Sequence, residues 1–133
     1  MSYYIKIDEN GIFIRPSRLY YVGIGDEELY EITRGIWKVG GQRREKAEYA
    51  FTVIGFKIIA VYKIHSWHKA LETEYHLRKD RNDLYSLPQD EIHNRYEFLG
   101  KVDKSMQQKY LGKDVSDYFV RGNANPVKYI NCF

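Results

Sequence analysis

The chain has one cysteine, Cys132, in 133 residues, so it can close no internal disulfide and cannot supply a four-cysteine zinc site. A reducing compartment is the expected setting. No run of apolar residues approaches the roughly 18 that a membrane span needs. Met1 to Asp8 also lacks the basic stretch and long apolar segment of a secretory leader. The expectation is a cytoplasmic protein that does not enter a membrane. Charge of one sign is scarce too, because 21 Lys and Arg against 18 Asp and Glu leave only +3. That balance permits an anionic partner without demanding one. Enzyme signatures are equally thin. There is no helical His-Glu-x-x-His, no aspartate-rich loop and no phosphate-cradling glycine motif. The four histidines, at 65, 68, 76 and 93, suggest no metal set. No metal and no cofactor are expected, and catalysis is left open with a binding role preferred.

Tyrosine is abundant instead: 13 Tyr beside 6 Phe and 2 Trp bring the aromatic content to 16%. A tyrosine has an apolar ring and a polar tip, so this enrichment suits a half-wet sheet or a stacking surface. With 44% hydrophobic and 29% charged residues, the composition is that of a folded domain. The length fits a single domain over 1–133.

The pattern along the chain predicts several short strands and a few helices. Tyr3 to Ile7 and Ile12 to Ile14 read as a hairpin about Glu9-Asn10-Gly11, ended by Pro16. Gly25 and the acids Asp26, Glu27 and Glu28 precede Leu29, Ile32 and Ile36 at helical spacing, predicting a helix from about Glu27 to Lys38 that Gly40-Gly41 stops. The clearest signal is a hairpin, Glu48 to Ile54 and Lys57 to Ile64, around a Gly55-Phe56 turn of type II′ geometry. Its simple register pairs Ile54 with Lys57 and Glu48 with Lys63, placing Phe51 and Ile58 on the buried face and Thr52 on the other. A charge-dense excursion follows from about Lys69 to Asn94, with a partial helix around Leu71 to Leu77. The remainder reads as a strand over Arg95 to Val102, a helix over Ser105 to Leu111, a helical turn over Val115 to Phe119 and a strand over Val127 to Cys132. The expected fold is α+β: a small curled β-sheet or β-barrel with two or three short helices.

Arg34, Lys38, Arg43, Arg44 and Lys46 set five cations against Glu45 between residues 34 and 46, with Trp37 and Tyr49 close in sequence. Cations that hold phosphate, interleaved with rings that stack on bases, are what single-stranded nucleic acid or a nucleotide requires. The same cations also fit a solvated helix end. Trp37 falls at the border of the apolar helix stripe and Trp67 follows a strand beside Ser66, so each is a candidate rim residue or a core residue. Arg121, Asn123 and Asn125 bring a guanidinium and two amides into one loop, a base-reading set or an ordinary turn before Pro126. The candidate contacts are therefore Arg34, Trp37, Arg43, Arg44, Lys46, Ser66, Trp67, Arg121, Asn123 and Asn125. A protein-interaction role for the aromatics is the alternative, and a small nuclease-like enzyme using His65 or His68 is a third.

Tyr30 to Val39, Arg43 to Ala50, Gly55, Val61 to Ile64 and Trp67, together with the endings Lys113 to Phe119 and Arg121 to Asn131, resemble an uncharacterised bacterial domain found with GIY-YIG nuclease-like proteins. That resemblance implies no catalysis here, because Tyr20-Tyr21-Val22-Gly23 is only an echo of the nuclease motif. More distantly, a helix followed by strand, turn and strand ending in tryptophan is similar to PUA-like domains such as ASCH, EVE and YTH. That likeness implies a small barrel that binds RNA or modified bases.

Overall fold

The computed structural model describes residues 5–119 and 125–133. These form six strands: β1 (Gly11–Ile14), β2 (Gly35–Trp37), β3 (Tyr49–Ile54), β4 (Lys57–Lys69), β5 (Tyr96–Val102) and β6 (Val127–Ile130). Five short helices accompany them: α1 (Asp26–Arg34), α2 (Gly41–Lys46), α3 (Arg81–Tyr85), α4 (Gln89–Ile92) and α5 (Lys104–Tyr110). The strands make one sheet in the order β2-β5-β4-β3-β1-β6, antiparallel except where β1 lies parallel to β3. The fold is α+β, with the sheet curled into a half-barrel.

Both faces of the sheet are covered. On one, Ile12, Ile14, Ala50, Ala60, Tyr62 and Phe98 pack against Leu29 and Ile32 of α1. On the other, Phe13, Phe51, Val53, Ile58 and Val61 pack against Met106 and Tyr110 of α5. The Asp103 carboxylate caps α5 by accepting from the Met106 N–H at 3.0 Å, the ordinary way to satisfy a first-turn donor.

The β3–β4 hairpin has the expected ends and a different middle. Ile54 pairs with Lys57, but a bulge between Thr52 and Val53 leaves Ile59 unpaired, so Phe51 faces Val61 and Tyr49 faces Lys63. Gly55 and Phe56 both have positive φ, 56° and 62°, which is type I′ rather than II′ geometry. Thr52 is fully buried on the α1 face, with its hydroxyl 2.9 Å from that of Thr33. Because both faces are buried, alternation could not distinguish an inside from an outside.

Three other expectations change. The first helix ends at Arg34, four residues early, because Gly35 and Trp37 are taken into β2 opposite Glu97 and Tyr96. Gly41 then opens α2 instead of stopping a helix. β1 pairs with β3 and β6, not with the segment before it; Tyr3 and Tyr4 of that expected strand lie outside the described residues.

The 69–94 excursion is anchored by buried charge. The Glu97 side chain, fully buried in β5, accepts from the N–H groups of Leu71 and Thr73, both at 2.7 Å, from the Thr73 hydroxyl and from the Tyr75 hydroxyl at 3.1 Å. The Arg34 guanidinium donates to the Thr73 hydroxyl and the Glu74 carbonyl, and lies 3.9 Å over the Tyr75 ring. Glu31 accepts from the N–H groups of His76, Leu77 and Arg78. Arg78, 3% exposed, returns to the carbonyls of Glu31 and Gly35 and pairs with Asp80 at 2.6 Å. A side chain at Gly35 would collide with the Tyr75 hydroxyl. Instead of the expected helix around Leu71 to Leu77, the segment forms α3 and α4, with Leu84 and Ile92 buried beneath them.

Candidate nucleic-acid interface

β6 lies at one edge of the sheet, β5 near the other, and α2 reaches both. The Tyr129 hydroxyl of β6 donates to the Gly40 carbonyl at 3.0 Å, and the Arg43 guanidinium lies 6.0 Å from the Tyr129 ring. At the other side the Arg44 guanidinium stacks 3.7 Å over the Tyr96 ring of β5 and donates to the Val39 carbonyl. The Lys46 ammonium donates to the main-chain oxygen of Phe133. No residue of α2 is buried, so the helix is a strut across one end of the half-barrel.

Both tryptophans gather at this end. Trp37 pairs with Tyr96 across β2 and β5, and its indole N–H donates to the Thr33 carbonyl at 2.8 Å. Trp67 pairs with Phe98 and sets its ring edge-on to that phenyl, 5.5 Å between centroids. Each is half-buried against the α1-side core. Trp67 Nε1 is a buried donor with no hydrogen-bond partner among the described residues, whereas the buried Arg44 Nε lies 3.7 Å from the Glu45 carboxylate, in an ion pair. A buried donor without a partner is uncommon enough in folded proteins to call for one such as water or a ligand.

The other candidates are distributed elsewhere. Arg34 is 3% exposed, inside the clamp that holds the excursion. Ser66 bonds His68 at 2.8 Å, and strand alternation puts that pair on the face opposite Trp67. Asn125 lies at the far end of β6, where its carbonyl accepts from Arg15 at 2.9 Å. Arg121 and Asn123 fall outside the described residues. The candidate contacts read from the sequence are thus divided among the described residues. The strut end gathers Trp37, Arg43, Arg44, Lys46 and Trp67, and it leaves out Arg34, Ser66 and Asn125.

Tyr96 and Tyr129 are the site residues that sequence reasoning missed. Burial pushes the Tyr129 phenol up to about 12, with the Arg44 and Arg43 charges acting against the rise, so the ring stays neutral at physiological pH. Their only sequence signal is strand alternation, and that became interpretable only once β5 and β6 were placed on either side of α2. Among the described residues, no group of three or more His, Cys, Asp or Glu is placed to hold a metal ion, and no helix is long and apolar enough to cross a membrane. No protein-family model, curated protein or solved structure matches the chain.

Proposed function

We propose that the chain is a cytoplasmic module that binds single-stranded nucleic acid or a nucleotide at the strut end of its half-barrel, in the manner of a PUA-like domain. The observation that carries this reading is the placement of two guanidinium groups on an exposed helix against two tyrosine rings from opposite sides of the sheet. Cations hold phosphates, and neighbouring rings offer faces on which bases of any identity can stack. Arg43 and Lys46 supply the exposed charge, Tyr129 and Trp67 supply ring surface, and Arg44 holds the strut on Tyr96. The unpartnered indole N–H of Trp67 is a donor that a polar ligand can satisfy.

Fluorescence anisotropy with mixed-sequence single-stranded RNA and DNA of about a dozen nucleotides tests this. Replacing Arg43 and Lys46 together by Ala is expected to weaken binding and to lower the salt slope by roughly 0.7 for each phosphate no longer neutralised. Trp67→Phe keeps an apolar ring against Phe98, so a fall in affinity with unchanged slope assigns stacking to the indole. No binding to RNA, DNA or a mononucleotide at low salt overturns the reading and leaves the aromatics as a protein-interaction surface.

A further inference from the structure

The outer edge of β6 borders a groove of about 270 Å³ lined by Arg43, Tyr118, Lys128, Tyr129, Asn131 and the chain around Phe133. Lys128 is not among the residues the sequence singles out. An edge lysine has a plain role in discouraging sheet-to-sheet pairing, yet here three features converge. Two cations, Arg43 and Lys128, line the groove, and among the described residues no side-chain carboxylate does. The strand also offers a donor. Arg15 N–H bonds the Pro126 carbonyl, and β1 and β6 pair Phe13 with Lys128 and Ile12 with Tyr129. Antiparallel bonding alternates, so the 15/126, 13/128 and 11/130 pairs carry the ladder bonds and the N–H of Tyr129 faces away from β1, along the groove edge. Finally, the groove is small. It lies below the roughly 300 Å³ at which pockets enclose a whole small ligand, so it suits an end group rather than a strand running through.

We propose that this groove is an end-recognition subsite that takes the terminal phosphomonoester of a nucleic acid or nucleotide, bound between Arg43 and Lys128 with the Tyr129 N–H as a third donor. The inference rests on the nucleic-acid reading above and deepens it. A terminal phosphate carries about −1.5 to −2 charges near neutrality and three acceptor oxygens. A phosphodiester inside a strand carries one charge. Two cations and a main-chain N–H match the former.

The test compares one oligonucleotide sequence with a 5′-phosphate, a 3′-phosphate or hydroxyls at both ends. One phosphorylated form is expected to bind about tenfold tighter than the hydroxyl form, the scale of one charge-assisted hydrogen bond. Lys128→Gln, checked by circular dichroism, should bring that ratio close to one. The preference should also shrink as pH falls below about 6, where the monoester takes up its second proton. Equal binding of all three forms overturns the subsite and leaves the broader reading standing. Binding of none overturns the broader reading. An NMR titration with inorganic phosphate then judges the groove by itself: saturable shifts at Tyr129 and Lys128 support an anion site, and their absence removes it.

Discussion

Arg34 and Arg43 belong to one basic run in the sequence and end in opposite surroundings. Arg34 is sealed between Thr73, Glu74 and the Tyr75 ring, with its donors used inside the protein. Arg43 stands on a helix none of whose residues is buried. The charge-dense excursion is tied down by Glu31, Arg34, Arg78 and Glu97, whereas the short helix α2 is held at its ends and by the stacking of Arg44 on Tyr96. A run of cations is therefore not one functional unit. What separates these two arginines is that Thr73, Glu74 and the Tyr75 ring close over Arg34.

Glu97→Ala should break this contrast most severely. It leaves the Leu71 and Thr73 N–H groups and the Tyr75 hydroxyl without their acceptor, and by analogy with other broken buried ionic networks should cost about 3 to 5 kcal/mol in denaturant unfolding. A loss below about 1 kcal/mol would show the clamp to be dispensable.

Acid sharpens the same contrast. Burial alone would raise the Glu31 pKa, but the N–H groups of Arg78, Leu77 and His76 and the Arg34 charge outweigh it and hold the carboxyl below its ordinary value. A depressed folded-state pKa stabilises the fold above the unfolded value, near about 4.3 for Glu, and that stability is lost as pH falls through the folded value. Urea midpoints should therefore drop as pH falls below about 4. Glu31→Gln should lower stability at neutral pH and flatten that acid limb, and an unchanged limb would assign it to other carboxylates.

Arg44→Ala stands between the two regions. Losing its stack on Tyr96 and its bond to Val39 should cost about 1 kcal/mol. Arg43→Ala should change stability by less than about 0.5 kcal/mol while weakening oligonucleotide binding. A larger stability loss at Arg43 than at Arg44 would reverse the assignment of strut and ligand-binding residue.

Much of the framework was legible. β5, α5 and β6 start within a residue of expectation, because alternating or helical apolar spacing marks them without help from distant partners. What was hidden depended on tertiary pairing. Gly35 to Trp37 continue a helical pattern and become a strand only because β5 is there to pair with. The bulge at Ile59 lies in a strand buried on both faces, where a one-residue slip leaves apolar side chains on either side. The clamp was unreadable for a related reason: Glu31, Arg34, Arg78 and Glu97 carry no spacing that announces they will meet. The same limit applied to the site, where Arg43, Trp37 and Trp67 were identifiable by residue type but Tyr96 and Tyr129 were not.

The position of β1 bears on how the chain reaches this structure. Its neighbours are β3, residues 49–54, and β6, residues 127–130, so its two hydrogen-bonding edges close at different times during synthesis. A ribosome releasing the chain from its N-terminus presents β1, β3 and β4 long before β6. Until then the outer edge of Gly11–Ile14 is unpaired, and Ile12 and Phe13 lack the cover that the last strand provides. Pairing at such sequence separation forms late and slowly. The nascent sheet therefore passes through an interval in which its apolar β1 strand is an open edge, the kind of surface that chaperones hold and that pairs between chains when they do not.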